Sequence, residues 1–188
     1  MPHPLEIQYG LTVYELLDAL GRRFRAKVTL EGAVAEVQLA KKIAALAQEG
    51  SIARYAEHDR DGYPDFTIWL PDRDTSYKVE CKNVRDAEEA YRQAGREVAY
   101  KVETQKTRTS RGDPSSRFYD VTHFDILAVC LGKKTGEWFD FAFIRSVDLA
   151  RHRDYEHKLA VMHRVPLPDA ETVHPWYRSL RDLLQTLV

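Results

Sequence analysis

Apolar positions along the chain follow two rhythms. After Thr12, residues Val13, Leu16, Leu17, Leu20 and Phe24 recur every three or four positions, which predicts an amphipathic helix over 12–25. A second helix is predicted over about 32–48, stopped by Gly50 as a C-terminal cap. Its inward stripe reads Glu36, Ala40, Ile43 and Ala47, with Leu39 and Leu46 alongside. Three short strands are then expected, at 52–57, 65–70 and 77–84. The segments Asp-Arg-Asp-Gly (59–62) and Pro-Asp-Arg-Asp (71–74) read as tight turns, so these strands should be antiparallel neighbours.

The spacing turns helical again near Asp86, with Glu89 three residues on in the manner of a capping box. Ala87, Ala90, Tyr91, Ala94, Val98 and Val102 would be the buried face of this long helix, with Gly95 its weak point. Residues 108–116 are polar and loop-like. The nearly unbroken apolar run 124–131 predicts a central strand buried on both faces. Another strand is expected at 138–144, a helical stretch near 147–155, and an edge strand at 159–165. A last helix over 175–187 would start with Pro175 in its first turn and carry Trp176, Leu180, Leu183, Leu184 and Leu187 on one side. The order describes one α/β domain over 1–188, a mixed central sheet flanked by helices, with its core at about 32–145.

Composition changes this picture little. The chain is 44% hydrophobic and 30% charged. No apolar run approaches the ~20 residues that span a bilayer, and the N-terminus lacks a signal-peptide layout, so a cytoplasmic protein without membrane contact is expected. Cys81 and Cys130, each in an apolar stretch, are expected to be reduced and packed. Net charge is −1, but it is unevenly spread. Seven Lys/Arg face three Asp/Glu between Arg92 and Arg117, and Arg22, Arg23, Arg25 and Lys27 form a second cluster. A neutral total can hide a basic face beside an acidic pocket, as suits an enzyme acting on a polyanion.

The chemistry concentrates in Pro64-Asp65 and Glu80-Cys81-Lys82. Side chains alternate along a strand, so Glu80 and Lys82 share one face. A carboxylate and an ammonium in an apolar strand are costly unless they meet water, a metal or each other. Asp65, at the start of the adjoining strand, can lie near Glu80. Two converging hard oxygens suit Mg²⁺, with Mn²⁺ as a substitute. The lysine supplies a cation able to orient or help deprotonate an attacking water and to balance charge on a phosphorane.

These residues resemble the PD-(D/E)xK nuclease superfamily, in its Glu-x-Lys form and with an Mrr-like flavour. The resemblance covers roughly the middle half of the chain and implies a restriction-endonuclease-like helix, three strands, helix, strand core. It implies that Asp65 and Glu80 hold metal, that Lys82 is the catalytic lysine, and that the substrate is DNA. Glu36 is a further metal-ligand candidate, since some branches place a helix carboxylate there; a surface helix glutamate is the alternative. Gln105, Lys106 and Arg108, at the end of the helix after the third strand, would contact nucleic acid, with Gln93 competing for the glutamine's part. Lys101, Arg111 and Arg117 are further phosphate candidates.

A restriction- or defence-type endonuclease is therefore expected, acting as a homodimer through its final helix or with a separate specificity partner. A repair or recombination nuclease and a non-catalytic nucleic-acid-binding or assembly module of the same fold are the alternatives. His152 and His157 are spaced wrongly for a metal pair on one helical face. Asp125 can be a strand-end polar group or a contact of the basic helix. No glycine-rich phosphate loop exists, which argues against ATP use.

Overall fold

Two capping boxes open the chain. In the computed structural model, which describes all residues except 61, 87, 107–111, 171–173 and 188, His3 and Glu6 cap α1 (Pro4–Tyr9), and Thr12 and Glu15 cap α2 (Val13–Gly21). Helix α3 runs from Phe24 to Gln48 and ends before Gly50, whose φ of +78° suits only glycine well. The chain divides into two units, 1–34 and 35–188. In the first unit the predicted helix 12–25 is real but ends at Gly21, and it has no buried residue. The second helix begins earlier than expected because Gly32 does not break it.

The second unit is built on a five-stranded mixed sheet, ordered β1-β2-β3-β6-β7. Its first three strands, β1 (Arg54–Glu57), β2 (Phe66–Trp69) and β3 (Ser76–Asn83), are antiparallel neighbours, as the short turns require. The wholly buried β6 (Ile126–Cys130) pairs parallel to β3, and β7 (Phe141–Arg145) closes the far edge antiparallel. The mixed-sheet α/β reading thus holds.

The long helix expected from Asp86 does not form. Residues 90–103 instead make a hairpin, β4 (Ala90–Gln93) and β5 (Arg96–Glu103), closed by Ala94 and Gly95 with φ +49° and +79°. Two consecutive left-handed residues define the tight hairpin turn, and Tyr91, Val98, Tyr100 and Val102 prefer strands. With β8 (Met162–Val165) the hairpin forms a separate three-stranded sheet, ordered β4-β5-β8. The crossover between parallel β3 and β6 therefore carries a hairpin where a helix is usual.

The five-stranded sheet has two differently covered faces. On one, Ala35, Leu39, Ile43 and Leu46 of α3 pack with Leu180, Leu183 and Leu184 of the terminal helix over Ile68, Val79, Cys81, Ala128 and Phe143. On the other, Leu127, Val129, Ala142 and Ile144 meet Val102 of β5, Val165 of β8, Tyr119, Phe124 and Trp176. Each fully buried large side chain contributes roughly 1.5–3 kcal/mol.

One short helix is added and two smaller expectations change. Residues 132–135, between β6 and β7, form the one-turn helix α4 (Gly132–Thr135). The stretch 147–155 is not helical: a 3-10 turn covers Ser146–Asp148, and Arg151 bridges to Leu159. The terminal helix is α5 (Leu180–Gln185), so Pro175 and Trp176 precede it. Because Leu180, Leu183 and Leu184 are spent in the core, α5 does not offer the dimer face expected of it. No helix among the described residues is long and apolar enough to cross a membrane.

Candidate active site

Strand register brings the acidic pair together. Phe66 stands opposite Val79, so Asp65, one step before β2, falls beside Glu80 on the same face. Asp65 Oδ2 accepts the Cys81 backbone N–H at 2.7 Å, which ties its side chain to β3. Glu80 and Lys82 lie opposite Leu127 and Val129 of β6, on the face covered by the small sheet, while Val79 and Cys81 enter the helix-covered core. Cys81 and Cys130 are free buried thiols.

Glu80 is only 3% exposed. Its Oε1 accepts two donors, Lys82 Nζ at 2.5 Å and the Tyr119 hydroxyl at 2.7 Å. Its Oε2 is buried and has no hydrogen-bond partner among the described residues. Buried carboxylate oxygens are normally satisfied, so this one leaves room for a cation or an ordered water.

The electrostatics agree with that geometry. Burial pushes the Asp65 carboxyl up to about 7, Glu80 adds to the shift, and Lys82 and the Cys81 N–H oppose it. Burial works against the Lys82 ammonium, yet Glu80, Tyr119 and Asp65 outweigh it and hold its pKa above the usual lysine value. Lys82 thus stays a cation. In that form it can donate hydrogen bonds and balance negative charge. The Tyr119 phenol is also raised, first by burial, with Glu80 adding and Lys82 opposing.

Glu36 projects from α3 as an exposed residue. Its carboxyl is raised mainly by partial desolvation; Lys82 opposes the shift, and Asp59 and Glu80 add to it. It therefore feels the site's charges. Among the described residues, however, no three His, Cys, Asp or Glu gather as a metal-holding group.

Three further residues surround the pair. The Tyr119 ring has Lys82 Nζ 5.6 Å and Lys106 Nζ 5.9 Å from its centroid, and His123 packs 4.7 Å away. Burial lowers the His123 pKa, with Glu80 opposing and Lys106 assisting. Tyr119 and His123 carry no motif in the sequence. The one available signal was position, a polar pair just ahead of the apolar run at 124–131.

Among the nucleic-acid candidates, Lys106 is brought to the site, although from an irregular segment after β5 and not from a helix. Gln105 bridges to Phe118, and its amide donates to Glu103. Lys101 lies on β5 with Nζ 5.2 Å from the Tyr91 ring, so it belongs to the small sheet. Gln93 is exposed beside the hairpin turn, and Arg117 ends a half-buried 3-10 turn. Arg108 and Arg111 lie outside the described residues. Asp125 proves to be a strand-end group, its Oδ2 accepting the Lys78 backbone N–H at 2.7 Å. His152 packs against Phe118 at a tilt, with ring centroids 4.3 Å apart.

Compared with known proteins, the chain matches no family model and no curated protein. Among solved structures, that of a bacterial homing endonuclease, I-Ssp6803I, is similar over 77% of this chain and 81% of that one, at 16% identity and a TM-score of 0.46.

Proposed function

We propose that this chain is a metal-dependent nuclease that hydrolyses phosphodiester bonds in DNA, with Asp65, Glu80 and Lys82 at its centre. The carrying observation is the half-satisfied carboxylate of Glu80. One oxygen is clamped by Lys82 and Tyr119, and the other is buried without a hydrogen-bond partner among the described residues, on the residue that strand register sets opposite Asp65. The donor set fits Mg²⁺ or Mn²⁺, which take one or two carboxylates and complete their shells with water and substrate oxygens. Asp65 and Glu80 would hold the ion, and Glu36, whose carboxyl feels the charges of Lys82 and Glu80, is the third candidate ligand. When bound, such an ion supplies Lewis-acid activation of the phosphate and a more acidic water.

The protein's own groups divide the remaining work. Lys82, held in its charged form by Glu80, donates to the reacting phosphate or its incoming water and offsets negative charge as it builds. Tyr119 keeps the Glu80 carboxylate in one rotamer. Lys106 offers a second cation to the nucleic-acid backbone at the rim. The resemblance of the motif supports an endonuclease of restriction or defence type.

The test is incubation of purified protein with supercoiled plasmid, single-stranded DNA and RNA, with Mg²⁺, Mn²⁺ or EDTA. Cleavage of DNA is expected only with metal, falling at least about 100-fold in Asp65→Ala and in Lys82→Ala. DNA binding without cutting under every metal condition sinks the enzymatic reading.

A further inference from the structure

The helix-covered side of the five-stranded sheet holds a cavity that the candidate active site does not use. It lies between the C-terminal end of α3, the segment entering β7 and the start of α5, and its volume is about 460 Å³. Small-molecule pockets run from roughly 300 to 1,000 Å³. Glu80 and Lys82 project from the opposite face of the sheet. Every lining residue falls within 35–188.

The spacing along α3 builds this recess. Leu39, Ile43 and Leu46 turn into the core, which leaves Lys41, Ala45 and Glu49 at four-residue intervals along an outer line. Ala45 supplies little bulk between its two charged neighbours. Phe143 of β7 and the half-exposed Phe139 form the apolar wall.

Charge selects the ligand. Lys41, Lys42, Arg178 and Arg181 line the cavity against a single carboxylate, Glu49. Glu49 pairs with Arg181, which also donates to Ser51 Oγ at 3.0 Å, and Arg178 donates to the Leu167 carbonyl. The two lysines make neither a hydrogen bond nor an ion pair among the described residues. Lys42 is half-buried, with Nζ 5.0 Å from the Phe139 ring centroid and 5.8 Å from that of Phe141. Burial lowers its pKa, and the charge of Asp140 opposes the shift. An anion entering here meets an ammonium that is already partly desolvated and whose donors are open. The phenylalanine rings suit a flat apolar body beside that anion. A phosphate monoester on a planar ring system matches both halves, and a simple salt anion matches one.

We propose that this cavity binds a nucleoside monophosphate, with its phosphate on Lys41 and Lys42 and its base against Phe139. The guanidinium N–H groups of Arg178 and Arg181 that remain unused extend the cationic side.

Calorimetry of the full chain in EDTA provides the test, with adenosine 5′-monophosphate, adenosine and inorganic phosphate as separate titrants. The monophosphate should bind once per chain and at least about 10-fold more tightly than either fragment. Lys42→Met should weaken it about 10-fold or more, and Phe139→Ala several-fold. Lys41→Gln, at an exposed position, should act in the same direction and carries the test if circular dichroism shows Lys42→Met unfolded. Lys82→Ala, on the opposite face, should bind the monophosphate as the wild type does. Absence of binding, affinity indifferent to both lysine variants, equal affinity for inorganic phosphate, or loss of binding in Lys82→Ala overturns the proposal.

Discussion

The Tyr119 hydroxyl donates to Glu80 Oε1 at 2.7 Å, the same oxygen that Lys82 holds at 2.5 Å. Two donors on one oxygen fix the carboxylate plane and leave Oε2 as its remaining face. Tyr119 is in this sense a positioning residue. Tyr119→Phe removes the hydroxyl without opening a cavity and should cost the fold only about 1 kcal/mol. Mn²⁺ affinity by calorimetry should weaken about 10-fold or more, with cleavage falling in parallel, as for other groups that orient a metal ligand. Unchanged Mn²⁺ affinity would show that Lys82 alone sets the rotamer.

Asp65 is expected to trade stability for function. In the unfolded chain it loses its proton near pH 3.8, in the fold near 7. The fold thus favours the protonated form, and its contribution is lost as pH rises from about 4 to 7. Asp65→Asn keeps an acceptor for the Cys81 N–H and carries no charge. In EDTA at pH 8 it should be more stable than the wild type by roughly 1–3 kcal/mol, after allowance for partial exposure. The gap should close toward pH 4. Denaturant melts at both pH values check this, and a variant less stable at pH 8 refutes it.

The hairpin turn makes a separate prediction about stability. Ala94 holds φ +49°, a region that alanine rarely adopts and asparagine tolerates. Ala94→Asn should raise unfolding free energy by about 0.5–1 kcal/mol, and Gly95→Val should lower it by about 1–2. A chain helical over these residues would respond oppositely to Ala94→Asn.

That same segment marks where the sequence could be read and where it could not. Strands β1, β2, β3 and β6 announce themselves by composition and by short polar turns, and the Asp65, Glu80 and Lys82 juxtaposition follows from alternation within them. Residues 86–103 contain alanines at helical spacing, and only the Ala94-Gly95 turn and the Tyr and Val content argue for strands. Burial against β8, distant in sequence, decided the outcome. Tyr119 and His123 were invisible for a related reason. Tyr119 reaches Glu80, with His123 packed on its ring, through a loop whose path is set by tertiary packing.

His163 should make the protein acid-sensitive. It is 5% exposed, its Nε2 lies 2.9 Å from Thr104 Oγ1, and burial lowers its pKa to about 4. Because the Thr104 hydroxyl donates to Ala160 O, the histidine supplies the N–H and sits neutral. The unfolded chain takes up this proton near pH 6.5. The stabilisation is therefore whole above that value and is lost as pH falls through about 4, up to about 3 kcal/mol. In His163→Gln the fall in urea midpoint between pH 6.5 and 4.5 should flatten. An unaltered slope would assign the acid sensitivity to other groups.

Lys106 offers a test that separates binding from chemistry. Its ammonium lies 5.9 Å from the Tyr119 ring centroid, toward the same cluster as Glu80 and Lys82 but with no direct bond to either carboxylate of the pair among the described contacts. A backbone contact from this position releases one counterion when DNA binds. Lys106→Ala should weaken DNA affinity several-fold for all sequences alike and lower the slope of log K against log salt by about 1. Mn²⁺ affinity should stay as in the wild type, because Lys106 neither holds nor orients Glu80. A variant that loses Mn²⁺ binding and keeps its salt slope would move Lys106 from the substrate side of the site to the metal side.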